Sequence, residues 1–408
     1  MKYLLIITMV IMSGSALGWI IPGSGTIQAM ISIMALIFNL IRKKTCKVQK
    51  KNFYILIISI VCLSLNIVIT SGVQTVILYY NMFLLLFSVY VISEIMTFED
   101  FSEKFVNIFV FLTITSLLFW GLAQIDISVG DISVLAANGK YYRLNLLYVY
   151  KEGDTYASII NNSKRNFGIF WEPGAYQGYL NLALMFLLFS VSRKKDVTRE
   201  SKYKFKVLTL VLGVLSTQST AGYFVLLLIF IAYYFRNVDK NKINIKTVLA
   251  AVMLMLVSFI MLNSDTIQMK FNENSSTYTS TLIRLNDNLN GIKAVFNSPI
   301  IGLGFNSARY EQVMADYGIF ANSSGLLMTL QQFGVFLGTL ILVRIFLNLS
   351  SNLTLQGLSK VIYVLMMFVL MSCEAFVTKE IFTIFLFSFN EKLHNNMLSS
   401  FSINKVQR

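Results

Sequence analysis

Long apolar runs separated by short polar or basic stretches recur along almost the whole of this 408-residue chain. Each run approaches the ~20 residues that a helix needs to cross ~30 Å of hydrocarbon. They predict an all-α, polytopic membrane protein with about twelve transmembrane helices, over residues 3–21, 26–41, 53–70, 75–96, 105–125, 174–192, 206–217, 219–235, 247–263, 323–348, 359–376 and 380–390. The breaks divide the chain into a five-helix N-terminal membrane region (1–125), a first outer loop (126–173) and helices six to nine (174–263). A large extracytoplasmic loop with an amphipathic helical part (264–322) then precedes helices ten to twelve and a cytoplasmic tail (323–408).

Composition agrees with the pattern. With 56% hydrophobic and 13% charged residues and a mean hydropathy of +0.66, a soluble globule would expose far more apolar surface than water tolerates. Lys and Arg are retained on the cytoplasmic side of a bilayer. Six cations between Arg42 and Lys51, seven between Arg193 and Lys206 and four between Arg236 and Lys246 therefore mark cytoplasmic loops, and both termini fall on the same side. The basic loops at both ends of Lys206–Phe235 require two short crossings that turn near Ser216-Thr-Gln-Ser-Thr220. Topology and anionic lipid headgroups thus account for the net charge of +14 without a nucleic-acid partner. The apolar run after Lys2 continues through Trp19-Ile-Ile21, which suits an uncleaved first span better than a signal peptide. Cys46, Cys62 and Cys373 indicate neither a disulfide framework nor a thiol metal site.

Candidate chemistry gathers in the two outer segments. In the first, Arg165-Asn-Phe-Gly168-Ile-Phe-Trp171-Glu172-Pro173-Gly174-Ala-Tyr-Gln-Gly178 sets a cation, a carboxylate and two backbone-breaking residue types at the mouth of an apolar helix. A hydrated loop with an interfacial Trp and a Pro in the first helical turn is the plainer account of the same residues. In the second, Asn297-Ser-Pro299-Ile-Ile-Gly302-Leu-Gly304-Phe-Asn306 forces a tight turn after a helical stretch at 282–296. The two segments also carry Lys140, Arg143, Lys151, Lys164, Lys270, Arg284, Lys293 and Arg309. No metal site, Ser-His-Asp arrangement or nucleotide motif is present, and no cofactor is expected; the single His394 lies past the last span. Arginines among Tyr, Trp and Asn suit an anionic phosphate attached to a sugar, because a guanidinium offers phosphate oxygens a planar, permanently charged fork.

Four elements in order resemble the O-antigen ligase and polymerase superfamily. They are Arg165-x-x-Gly168-x-Phe170-x-Glu172-Pro173-Gly174, Ser216-Thr-Gln-Ser219-Thr-Ala-Gly222, Pro299-Ile-Ile-Gly302-Leu-Gly304 and Asn322-x-x-Gly325-Leu-Leu-x-x-Leu-Gln-Gln-Phe-Gly334. The resemblance covers residues 165–338, under half of the chain. It implies an inverting, metal-independent glycosyltransferase in the bacterial cytoplasmic membrane, acting at the outer face on undecaprenyl-diphosphate-linked glycans. A chain-length regulator and a flippase are the implied protein partners.

On that resemblance Arg165 and Arg284 take the diphosphate-binding role, and Arg143, Arg309 and Asn322 complete the expected substrate-binding set. Interfacial anchoring to lipid headgroups is the alternative for both arginines. Ligases of the family carry a His before the motif Asn, whereas this chain has Ala321-Asn322, which favours polymerisation of O-antigen, capsule or exopolysaccharide repeats over ligation. Glu172 is the carboxylate best placed as general base; capping the helix or pairing with Arg165 is the structural alternative. A polytopic transporter or lipid-linked glycan flippase is the competing class. Against it, no internal repeat is evident and the ionisable Glu94 and Glu374 lie near helix ends rather than at mid-membrane.

Overall fold

In the computed structural model, the described residues are 1–21, 23–43, 49–70, 73–136, 139–160, 163–190, 197–237, 276–319 and 324–390. They form a mostly helical bundle whose helices are α1 (Lys2–Met12), α2 (Ala16–Ile20), α3 (Ser24–Lys43), α4 (Lys50–Thr70), α5 (Val73–Ile95), α6 (Phe98–Gln124), α7 (Pro173–Phe189), α8 (Val197–Ser216), α9 (Thr220–Asn237), α10 (Ser276–Val295), α11 (Ala308–Asp316), α12 (Gly325–Ser351), α13 (Leu358–Cys373) and α14 (Glu380–Thr383). Among the described residues four helices are long and apolar enough to cross a membrane, within α3, α4, α6 and α12. Shorter apolar helices are α1, the 79–95 part of α5, α9 and α13. The span expected at 247–263 lies outside the described residues.

The bundle is built around α7. It is buried on every side from Ala175 to Met185 and packs against α6, α8 and α9, which is the expected environment of a helix with no polar face. Phe98, Phe101, Phe105, Phe109, Phe186 and Phe385 form a continuous aromatic core beside it. The hairpin expected between Lys206 and Phe235 is present: α8 ends at Ser216, Gln218 turns with φ 49°, and α9 starts at Thr220.

Three expectations are corrected. The first span is not one helix: Ser13-Gly14-Ser15 separates α1 from α2, and Ser15 pairs with Phe170 through the Ala16 N–H and the Ile169 carbonyl at 3.0 Å. Residues 380–390 do not form a twelfth crossing helix but the four-residue α14, a 3-10 turn and extended chain. Their polar backbone is satisfied by neighbours rather than within one helix, as with the Phe385 and Leu386 carbonyls, which accept from Asn348 at 2.8 and 3.2 Å.

The fold is also not purely α. The segment between α6 and α7 carries an antiparallel sheet of β1 (Ile132–Leu135), β2 (Tyr141–Leu144) and β3 (Val149–Gly153), with Arg143 opposite both Ser133 and Lys151. Alternate burial along β2, with Tyr142 and Leu144 inward, is the period-two pattern of a half-buried strand. The inward side chains pack on Ala16, Phe167 and Trp19, so the sheet lies over the broken start of the chain and the loop that leads into α7.

Candidate functional site

The loop before α7 is fixed by one buried asparagine. The Asn166 N–H donates to the Ser216 carbonyl (3.0 Å), its amide nitrogen to Ser216 Oγ (2.9 Å) and Ser116 Oγ (3.2 Å), and its amide oxygen accepts from the Gly168 N–H (2.9 Å). Next to it, Arg165 Nε donates to the Thr217 carbonyl at 3.1 Å. The guanidinium is half-buried and close enough to Tyr223 on α9 to act on its phenol electrostatically. The first motif of the chain is therefore docked on the second, the Ser216–Gly222 turn. The docking continues below, where Asn181 on α7 donates to the Gly222 carbonyl at 3.2 Å.

Glu172 lies at the other end of this loop. It occupies the N-cap position of α7 but makes no capping hydrogen bond, and it is not bonded to Arg165. Its Oε1 instead accepts from Trp171 Nε1 at 2.7 Å. The carboxylate that lies against the start of α7 is Glu374, from the end of α13: a Cβ placed on Gly174 would sit 2.2 Å from Glu374 Oε1. A side chain at 174 would therefore push this carboxylate aside, and the positive end of the helix dipole acts on Glu374 as well as on Glu172.

Beside them Lys379 places its ammonium 5.0 Å from the Trp171 ring centre and 5.6 Å from that of Trp19. Burial pushes this ammonium below its ordinary range, and the charges of Glu380, Glu374 and Glu172 only partly offset it. From the sheet, Lys140 is paired with Glu152 at 3.1 Å. The charge of Glu172 acts on both members of this pair. Burial raises the Glu152 carboxyl above its ordinary range, and the pull of Lys140 only partly offsets it. Among the described residues no three His, Cys, Asp or Glu are arranged to hold a metal ion.

The third and fourth motifs also meet. The Gly304 N–H donates to the Gln332 carbonyl (3.1 Å), the Leu303 N–H to the Gln331 carbonyl (2.7 Å) and the Val335 N–H to the Pro299 carbonyl (2.6 Å). These bonds are possible because α12 is broken at Gly334, which has φ 77° and ψ 167°. The turn at 299–304 thereby satisfies backbone groups that the interrupted helix leaves open. Gln332 Nε2 adds a 2.7 Å bond to Asn306 Oδ1. At the start of the same helix, Gly325 packs on the Glu374 carbonyl, which links this pair of motifs to the Glu172 side.

Of the other expected site residues, Arg143 is engaged inside the segment that carries the sheet, with Asp131, with Ser128 at 2.6 Å and with the Ile160 carbonyl at 2.8 Å. It staples the sheet to the preceding loop. Arg309 is exposed on α11. Arg284 lies on α10, with its side chain outside the described set, and Asn322 lies outside the described residues. Lys379, Glu374, Glu380, Trp19 and Glu152 were not singled out from the sequence as site residues. Their one shared signal is charge or aromaticity at a break in an apolar run, and nothing in the spacing shows that breaks more than 200 residues apart converge.

These features define a multi-helix membrane protein with a small three-stranded sheet and a charged cluster at the mouth of its central helix. Residues 205–343 match the model of the family described as O-antigen ligase. The matched region runs from α8 into α12 and contains three of the four motifs, so the resemblance to the O-antigen ligase and polymerase superfamily holds. No curated protein and no solved structure matches the chain.

Proposed function

We propose that the chain is a membrane glycosyltransferase that polymerises undecaprenyl-diphosphate-linked repeat units into a surface polysaccharide, at the outer face of the bacterial cytoplasmic membrane. The observation that carries this reading is the docking of Arg165 and Asn166 on Ser216 and Thr217, which joins the arginine-bearing loop to the region that matches the O-antigen ligase family. An acceptor sugar hydroxyl attacks the anomeric carbon, its proton passes to Glu172, and the carbon–oxygen bond to the lipid diphosphate breaks with its electron pair on the leaving group. Arg165, with Arg284, stabilises the charge that grows there, as fixed donors at a developing anion do. Ala321 in place of the ligase histidine favours polymerisation over transfer of a finished glycan to a second lipid. Ligase-type transfer is the second reading. A chain-length regulator and a flippase would act as partners.

The test is elongation in vitro by the purified protein, with lipid-diphosphate-linked repeat units as both donor and acceptor. A ladder of products is expected, and Arg165→Ala or Arg284→Ala should leave single repeats unextended. Arg165→Lys should recover only part of the ladder, because an ammonium is a point charge rather than a fork. Normal ladders from both Ala variants at matched protein levels would remove the assignment. Transfer of a finished glycan to an unrelated lipid acceptor without elongation would favour the ligase reading.

A further inference from the structure

The Trp171 ring is seated on the broken start of the chain. A Cβ placed on Gly14 would fall 2.0 Å from Cζ3, 2.5 Å from Cε3 and 3.0 Å from Cη2 of Trp171. The benzo half of the indole therefore fills the space that a side chain at 14 would need, and the backbone there has φ +95°, a conformation that glycine adopts without steric cost. Beside the ring lie Trp19, with centroids 5.6 Å apart, and the Lys379 ammonium. With the benzo half so placed, Nε1 on the other half donates to Glu172 Oε1 at 2.7 Å.

The seat is itself fixed from three sides. The Ser13 carbonyl accepts from the Tyr179 hydroxyl on α7, Ser13 Oγ accepts from the Ile381 N–H of α14 at 2.9 Å, and the Ala16 N–H donates to the Ile169 carbonyl at 3.0 Å. Ser15 Oγ closes the break by capping α2, accepting from the Gly18 N–H at 3.1 Å. A phenyl ring could cover the same glycine, but only the indole adds a donor, and that donor is spent on Glu172. The break between α1 and α2 and the loop before α7 are thus joined at the carboxylate.

We propose that Trp171 is a positioning residue of the reaction and Gly14 its seat: the broken first helix fixes the indole, and the indole N–H holds one oxygen of Glu172, leaving the other to accept the proton of the incoming hydroxyl. The consequence for turnover rests on the glycosyltransferase reading, whereas the seat can be measured without turnover. Fluorine NMR of the full chain labelled with fluorotryptophan reads it. The chain has three tryptophans, and Trp171→Phe assigns one line. Gly14→Ala should move that line, because the new methyl takes the ring's place, and Glu172→Ala should move it too, because the N–H loses its acceptor. The Trp120 line should stay, since its Nε1 donates elsewhere, to the Lys164 carbonyl at 2.8 Å, and it reports that the chain is folded. A Trp171 line unmoved in both variants overturns the proposal.

Elongation, scored on the first bond formed between lipid-linked repeats, reads the consequence. Trp171→Phe keeps a ring over Gly14 and loses the donor. It should lower the maximal rate with little change in KM, by up to ~100-fold, the loss that a misplacement of ~1 Å brings. In a Glu172→Ala background the same substitution should add little, because nothing is left to position. An equal loss in both backgrounds would mark a packing role, and a raised KM at an unchanged maximal rate would mark a contact with the sugar; either overturns the proposal. Lines that move as expected while even the unmodified chain elongates nothing would uphold the seat and count against the glycosyltransferase reading instead.

Discussion

Gly302 and Gly334 lie back to back: a Cβ on Gly302 would fall 2.5 Å from the Gly334 nitrogen, and one on Gly334 would fall 2.8 Å from the Gly302 nitrogen. Two segments about thirty residues apart in the chain thus meet backbone to backbone at the break in α12.

Gly334→Ala tests this contact. The backbone there lies in a region essentially reserved for glycine, which costs another residue ~1–3 kcal/mol. The new methyl would also meet the Ile300 carbonyl oxygen at 2.4 Å. The variant should unfold at lower temperature in detergent and lose elongation, whereas Gly318→Ala should lose less, since nothing lies within 4 Å of a Cβ there. Equal thermal unfolding of the two variants would show that the break is not held by this packing.

Asn166 should be among the most sensitive residues outside the charged cluster. It is fully buried and bonded to Ser116, Ser216 and Gly168, and removing one partner of a buried polar group costs ~1–3 kcal/mol. Asn166→Ala and Ser216→Ala should each lower thermal stability, and the double variant should lose less than the two effects added. Strict additivity would mean that the two side chains are not coupled.

Arg143 should matter for the sheet and little for chemistry. Burial pushes the Asp131 carboxyl up, but hydrogen bonds from Arg143 and Ser128 outweigh it and hold the group below the ordinary carboxylate range. A carboxyl so lowered contributes stability that is present above its unfolded value of ~3.9. That contribution is lost as pH falls through the folded value. Hydrogen-exchange protection of residues 132–135 and 141–144 should therefore persist at neutral pH and fall only under acid conditions. Arg143→Gln should lose that protection at neutral pH while keeping more elongation than Arg165→Ala. A ladder as short as that of Arg165→Ala would return Arg143 to the substrate-binding set.

Glu172 separates base from scaffold. As base, Glu172→Gln should insert normally and lose most elongation, because the amide cannot take the proton. As scaffold, Gln would still accept from Trp171 and retain much of the activity, and the larger loss would come with Glu172→Ala. Substantial ladders from the Gln variant, in the assay with lipid-linked repeats, would exclude the base role.

Much of this protein is legible in its residues alone. Hydropathy and the basic loops give a mostly helical membrane chain, and Ser216–Thr220 gives the α8–α9 turn, because transfer of apolar segments and of charged loops is a local property of the sequence. Arg165, Glu172, Pro299 and Gly334 stand out for a similar reason, since charge, proline and glycine interrupt an apolar run wherever they occur. Three matters were left to the tertiary structure. The sheet at 132–153 depends on a floor formed by Ala16 and Trp19, more than a hundred residues earlier in the chain. The segment at 380–390 is apolar enough for a helix, yet it is held irregular by bonds that Asn348 donates to its carbonyls and that the Ile381 N–H donates to Ser13 Oγ. Glu172 faces Trp171, Glu374 and Lys379 rather than Arg165, because a carboxylate's partners are set by which helix ends the packing brings to one mouth, and no spacing along a single chain records that.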